Sequence, residues 1–166
     1  MKKIVIVSDT HIPFRAKKLP QALVDECQTA DFIIHAGDWQ TMDVFYELSA
    51  YAETDGVTGN VDPWDILERF GKKKIFEIEG LKIGVIHGDG IRSTTEQRAF
   101  DAFADDNVDI IVFGHSHIPV MRDAGGVTLF NPGSPTDKRR QPQYSFGLLE
   151  ISDSWQIRHV FFDKEK

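Results

Sequence analysis

KKIVIVSDTH, Lys2 to His11, decides how this chain is read. Ile4 to Val7 is an unbroken apolar run of buried-strand length. It stops at Ser8-Asp9-Thr10-His11, where hydroxyl, carboxylate and imidazole side chains follow one another.

The same pattern recurs four times downstream. DFIIHAG runs into Asp38, DGVTG into Asn60, KIGVI into His87-Gly88-Asp89, and DIIVFG into His115-Ser116-His117. Five apolar runs therefore end in a side chain able to bind a metal, most of them beside a glycine. Ligands collect outside the carboxyl ends of strands in open α/β sheets. The five ends converge on one rim if the strands share a sheet or face each other across two. Asp9 and His11 are i and i+2, as are His115 and His117. Such residues of an extended chain point to one side, so each pair is expected to reach one small volume, with Thr10 and Ser116 turned away. Glycines 37, 59, 88 and 114 would let backbone approach closely there.

Helical segments separate the first runs. Leu19, Leu23 and Cys27 lie at spacings of four, and Val44, Phe45 and Leu48 fit one helix face behind Thr41 as N-cap. With strands at Phe32 to Ile34 and Thr54 to Val57, the rhythm is βαβαβ, which predicts parallel strands with helices on the faces. Beyond residue 70 the character changes. Gly80 separates two strand-like runs and reads as a hairpin. Ser93 with Glu96 reads as a capping box for a helix that buries Ala99, Phe100 and Phe103. The runs at 119–122, 127–130, 145–151 and 156–162 have no helix between them, so the carboxyl half is expected to be more antiparallel. Two sheets stacked face to face with helices outside accommodate both halves.

At 166 residues the chain is expected to form one domain, 1–166. A net charge of −7 argues against a surface that coats nucleic acid or membranes by bulk charge. One cysteine, Cys27, permits no intrachain disulfide and suggests a cytoplasmic setting. No apolar stretch approaches a membrane span.

VTGNVDPW, Val57 to Trp64, is turn chemistry by composition, yet it carries the Asn60 amide. His35, within the second strand, is expected to be structural or to orient a ligand through its ring N–H. His159 is expected to be structural, and Asp89 supporting rather than ligating.

The ordered set Asp9-x-His11, Gly37-Asp38, Gly59-Asn60, His87 and Gly114-His115-Ser116-His117 resembles the calcineurin-like metallophosphoesterases, and more narrowly the small YfcE-type phosphodiesterases. Asn131-Pro132-Gly133-Ser134 is similar to a loop of that family. The resemblance implies a four-layer α/β/β/α sandwich of two mixed sheets around a dinuclear metal centre. Asp9, His11 and His117 would hold one ion, Asn60, His87 and His115 the other, and Asp38 would bridge them. This donor set suits two divalent transition ions, with manganese foremost and nickel, iron, cobalt or zinc open. Only two carboxylates sit in the set, so two divalent ions leave the centre net positive for an anionic substrate.

The resemblance further implies metal-centred catalysis at Asp38, Asn60 and His87, in which a metal-bridging hydroxide attacks a phosphodiester without a side-chain nucleophile. Many relatives carry a histidine directly after the asparagine, thought to help the leaving group. Here Val61 stands in that place. General-acid help contributes about 10²–10⁴-fold, so slow turnover or a preference for good leaving groups is expected. Arg92 and Lys138-Arg139-Arg140 are either substrate-phosphate contacts or solvated charges. The expected substrate is a small or flexible phosphodiester, and a homo-oligomer is compatible with the family. The alternatives are a phosphomonoesterase, or a catalytically weak protein-binding scaffold like the metallophosphoesterase-fold subunit of retromer.

Overall fold

The structure is a computed structural model in which residues 1–164 are described. Its elements run β1 (Lys2–Val7), α1 (Gln21–Cys27), β2 (Phe32–His35), α2 (Met42–Tyr51), β3 (Glu53–Gly56), α3 (Trp64–Phe70), β4 (Lys73–Ile78), β5 (Leu81–Ile86), α4 (Thr95–Ala102), β6 (Ile110–Val112), β7 (Val120–Ala124), β8 (Val127–Asn131), β9 (Tyr144–Ile151) and β10 (Trp155–Phe162).

They build two five-stranded sheets, ordered β10-β9-β1-β2-β3 and β4-β5-β6-β8-β7. β1, β2 and β3 are parallel neighbours, with Val7 opposite His35 and His35 opposite Gly56. β5, β6 and β8 are parallel neighbours in the other sheet. The antiparallel pairings are β9 on β1, β10 on β9, β4 on β5 and β7 on β8. The expectation of a more antiparallel carboxyl half thus holds for β9, β10 and the β7–β8 hairpin, while the other edge of β8 pairs parallel with β6. Val127 to Asn131 inserts beside β6, where apolar Leu129 and Phe130 can be buried on both faces.

Period-two alternation explains the layers. Val5 and Val7 of β1 pack outward under α1, α2 and α3, with Leu23, Cys27, Leu48, Ile66 and Phe70. Ile4 and Ile6 turn the other way and meet Leu81, Ile83, Val85, Ile110 and Val112 between the sheets. Ala99 and Phe103 cover the far face of the second sheet on Ile111, Phe113 and Leu129. The result is the α/β/β/α sandwich. Phe103 lies over Gly84, where a β-carbon would come within 2.6 Å of its ring.

Thr41 caps α2 as expected, accepting from the Asp43 amide. The Glu79-Gly80 hairpin turn has positive φ at both residues, 52° and 83°, which is type I′ geometry. The cap of α4 lies one residue later than expected, and Gln97 turns its side chain to Asp101 instead of closing a box. Thr94, not Ser93, is the N-cap and accepts from Gln97 N, while Ser93 has a φ of 69° and lies outside the helix. Arg98 Nη1 fixes that turn by donating to the Arg92 and Ser93 carbonyls. Helix α3 escapes prediction because only Ile66 and Phe70 are buried along it, too few to reveal a period. No helix among the described residues is long and apolar enough to cross a membrane.

Candidate metal centre

β1, β2 and β3 of one sheet and β5 and β6 of the other all end on one rim, and the polar residues that stop them meet there. Asp9, His11 and His117 bring ligand atoms within 4.8 Å of one another, and so do Asp38, His87 and His115. Asp38 Oδ2 lies 3.1 Å from His87 Nε2 and 3.6 Å from His11 Nε2, so one carboxylate reaches both groups. Asn60 joins the second group, with its Oδ1 3.1 Å from His115 Nδ1. Two donors bound to one ion at about 2.1 Å and near right angles lie about 3 Å apart, so this spacing also suits shared coordination.

The structure corrects the geometric reason for the pairing. Asp9, His11, Asp38, His115 and His117 all have positive φ, between 47° and 71°, so none is extended. Conformations of this kind cost roughly 1–3 kcal/mol each in non-glycine residues and gather at functional sites. Backbone bonds at the rim oppose that cost: Asp9 N donates to Gly37 O at 2.9 Å and His11 N to Asp38 O at 3.1 Å. Asp9 and His11 do share one group, but His115 and His117 fall in different ones, because the tight turn at Ser116 separates their side chains. Thr10 turns away as expected. Its hydroxyl lies 3.1 Å from His35 Nε2 and donates to Trp39 O.

The imidazoles are oriented from behind. His87 Nδ1 is 2.8 Å from Ala36 O and His117 Nδ1 is 2.5 Å from Asp137 O. A carbonyl there requires the proton on Nδ1, which leaves each Nε2 as a lone pair aimed inward, the usual arrangement for a metal-binding histidine. Among the described residues, the buried side-chain polar atoms without a hydrogen-bond partner are Asp9 Oδ1, His11 Nε2, His87 Nε2 and His117 Nε2. Four lone pairs facing one small volume repel each other unless a cation sits among them, and imidazole with carboxylate oxygen is a transition-metal donor set. The residues therefore fit a metal.

Without a metal the charges fall on protons. Burial opposes the charged form of His87, yet the Asp9 and Asp38 carboxylates raise it to about 9. His11 is raised for the same reason. Asp9 is fully buried, which alone would raise it, but the His87, His11 and His117 rings hold it well below the carboxylate range. Asp38 is lowered, mainly by His87 against the opposing effect of burial. Burial lowers His115 and His117.

Close backbone approach is visible at two glycines. A β-carbon on Gly59 would lie 2.1 Å from Asp38 Oδ1, and one on Gly114 would lie 2.0 Å from Ser8 Oγ and 2.6 Å from Asp9 Oδ2. Asp62 does more than cap its turn: its carboxylate accepts from Asp38 N, Gly59 N and Gln40 N at 2.7–2.8 Å. Val61 gives its backbone N–H to Asp38 Oδ1 at 3.0 Å, while its side chain is 44% exposed at the rim.

His35 is buried, stacks on Trp39 at 3.9 Å and accepts the Gly37 N–H at Nδ1, so it supports the rim without touching a ligand side chain. His159 stacks on Phe130 and lies 2.7 Å from Asn131 O. Cys27 is buried helix core with its thiol pushed up to about 12 by burial. Asp89 is exposed, beside Asn60. Arg92 is exposed on the loop before α4 and holds Arg98 through its carbonyl. Residue-level reading missed Ser8, which donates to Asp9 Oδ2 at 2.7 Å, and Asp137 and Ser134, which fix His117 and the Asp9 backbone. Asp137 acts through a carbonyl that every residue has, so its sequence gives no signal.

The model of the calcineurin-like phosphoesterase superfamily domain matches residues 1–154. A probable metallophosphoesterase of Methanothermobacter thermautotrophicus is 37% identical over 82% of this chain and 78% of that protein. A protein named phosphodiesterase MJ0936, from Methanocaldococcus jannaschii, is 28% identical over 79% of this chain and 82% of that protein. Among solved structures, Vps29 of Entamoeba histolytica in complex with zinc superposes with a TM-score of 0.77 at 25% identity. That match covers 97% of this chain and 99% of the other.

Proposed function

The chain belongs to the calcineurin-like phosphoesterase superfamily, and from that premise we propose that it is a dinuclear-metal phosphodiesterase. The observation that carries this reading is the set of four buried, unpartnered ligand atoms with Asp38 Oδ2 between the two groups. Asp9, His11 and His117 would hold one divalent ion and Asn60, His87 and His115 the other, with Asp38 placed to serve both. Bound ions supply Lewis-acid stabilisation of the phosphoryl oxygens and an acidified water at neutral pH.

The chain's own contribution is placement. Ser8 and the His115 amide fix Asp9 Oδ2, which leaves Oδ1 directed inward. Val61 N–H fixes Asp38 Oδ1 and leaves Oδ2 toward the histidines. Ala36 O and Asp137 O hold the protons of His87 and His117 on Nδ1, away from the centre. No side chain at position 61 hands a proton to the leaving oxygen, so esters with good leaving groups are favoured. The diester preference is supported by the relative named phosphodiesterase.

Metal analysis of the purified protein, combined with hydrolysis of bis-p-nitrophenyl phosphate and p-nitrophenyl phosphate under manganese titration, tests the reading. About two metal equivalents and faster diester cleavage are expected. A strong monoester preference overturns the diester assignment. A second reading, a protein-binding scaffold with little turnover, is favoured by the fold shared with Vps29. It gains if metal-loaded protein cleaves no diester yet binds a partner tightly.

A further inference from the structure

Beside the metal centre lies a groove of about 450 Å³ that the proposed chemistry does not use. Arg15, Lys17, Lys18 and Lys164 line it with positive charge, and Tyr144 and Phe162 form part of its wall. The two rings stack at 5.7 Å. Lys138 Nζ sits 5.7 Å over the Tyr144 ring, which joins this groove to a neighbouring hollow of about 280 Å³ lined by Lys138, Arg139 and Arg140. Seven of the chain's nineteen lysines and arginines thus gather on one band of a protein whose net charge is −7.

The band is poorly neutralised. Among the described residues its one ion pair is Arg15 with Asp137, at 3.7 Å. Asp163 accepts from Gln143 rather than from a cation of the band. Seven like charges left together in an acidic protein oppose folding and attract an anion. A solvated charge run needs no cavity and no aromatic wall, and this band has both.

Its walls grow directly from the metal-binding loops. Arg15 N donates to His11 O at 2.7 Å. Thr136 Oγ1 donates to Thr10 O at 2.6 Å. The Asp137 carbonyl that orients His117 stands immediately before Lys138-Arg139-Arg140, and Arg139 has a φ of 50° in a turn closed by Gln141 N to Lys138 O. A positively charged groove tracks a single-stranded backbone, and aromatic side chains within it stack unpaired bases.

We propose that this band binds a single-stranded oligonucleotide, with its phosphates along Arg15, Lys17, Lys18 and Lys138 to Arg140 and a base against Tyr144. The absence of bulk charge for nucleic acid is compatible with this, because the attraction is local. The inference rests on the proposed phosphodiesterase reading only in treating the bound strand as a substrate. Binding itself is independent of the metals.

The test is fluorescence anisotropy of the full chain, as purified, with a fluorescein-labelled phosphorothioate ten-mer of thymidine that resists cleavage. Saturable binding is expected in 50 mM salt. Neutralising about four phosphates gives a slope of about −3 for log affinity against log salt, at about −0.7 per contact. Lys17→Gln, Lys18→Gln, Arg139→Gln and Arg140→Gln combined should weaken binding at least tenfold. Lys2→Gln with Lys82→Gln should not. Tyr144→Ala should weaken the thymidine ten-mer more than an abasic one. Absence of saturable binding overturns the proposal, as does binding that survives the fourfold variant. Equal competition by a ten-residue polyglutamate also overturns it, since the band is then a site for any anion. Strand binding without diester cleavage leaves the groove standing and defeats the enzyme reading, and the converse separates them in the other direction.

Discussion

Asp38 and Asp62 each hold the backbone that carries the other. Asp62 Oδ2 accepts the Asp38 N–H at 2.8 Å, and Asp38 Oδ1 accepts the N–H of Val61, the residue before Asp62, at 3.0 Å. Burial raises the Asp62 carboxyl, against the three N–H groups that favour its charged form. Hydrogen bonds to a charged group contribute about 1.5–3 kcal/mol each, and the partners left unpaired add to the loss. Asp62→Ala should therefore cost about 3 kcal/mol, which lowers the melting temperature by roughly 6–12 °C in a chain of this size. Loss of a group that holds a metal ligand in place weakens metal binding about 10–100-fold. Thermal unfolding and metal titration check both effects, and wild-type affinity in the variant would refute the clamp.

Asp38 Oδ2 lies 3.6 Å from His11 Nε2 and 3.1 Å from His87 Nε2, whereas Asp9 Oδ1 stays 3.8 Å from His87. Asp38→Ala should lower bound metal by at least one equivalent and abolish turnover. His159→Ala, in a ring that stacks on Phe130 away from the rim, should leave activity largely intact. Metal content by elemental analysis and diester hydrolysis are the readouts. Retention of both metals in the Asp38 variant would contradict a bridging position.

The residues of the centre were legible because each closes an apolar run, and parallel strands align their ends. How they turn was not legible. Asp9, His11, His115 and His117 bend into positive φ, and only tertiary bonds such as His115 N to Asp9 Oδ2, across 106 residues, select that conformation. The same limit hid β6 beside β8, a pairing made across the sheet rather than along the chain. Asp62 was legible as a turn former, but its grip on Asp38 and Gln40 spans two loops that local pattern cannot connect. Asp137 was invisible because a backbone carbonyl carries its contribution.

Val61 offers Asp38 a backbone N–H that any residue except proline supplies, and its side chain is exposed at the rim. A histidine is therefore tolerated there without disturbing the clamp. Val61→His should speed cleavage of diesters with poor leaving groups by about 10²-fold at most and change p-nitrophenyl esters little. Parallel assays of bis-p-nitrophenyl phosphate and an alkyl phosphodiester measure the split. Equal acceleration of both would show that the new imidazole is not acting as an acid.

Gly114 leaves no room behind Asp9. Its β-carbon would fall 2.0 Å from Ser8 Oγ and 2.6 Å from Asp9 Oδ2, atoms already bonded to each other. Gly114→Ala must push that carboxylate or the β6 end aside. A destabilisation of about 1–3 kcal/mol is expected from the overpacking, together with weaker metal binding. Denaturant unfolding and metal titration on the variant provide the check, and an unchanged metal affinity would show that Asp9 moves freely.

His35 makes the fold sensitive to acid in one direction. Burial holds its ring neutral, with a pKa lowered from 6.5 to about 3. The unfolded chain takes up this proton as pH falls below 6.5 and the folded chain does not. The contribution to stability is therefore fully present above 6.5 and declines as pH drops toward 3. Each unit is about 1.4 kcal/mol, so roughly 2 kcal/mol is lost by pH 5. His35→Gln should be less stable than wild type at pH 7, because Gly37 N and Thr10 lose well-placed partners. That deficit should shrink by about 2 kcal/mol at pH 5. Urea unfolding of both proteins at the two pH values measures it, and a deficit that stays constant would mean that His35 is protonated in the folded protein.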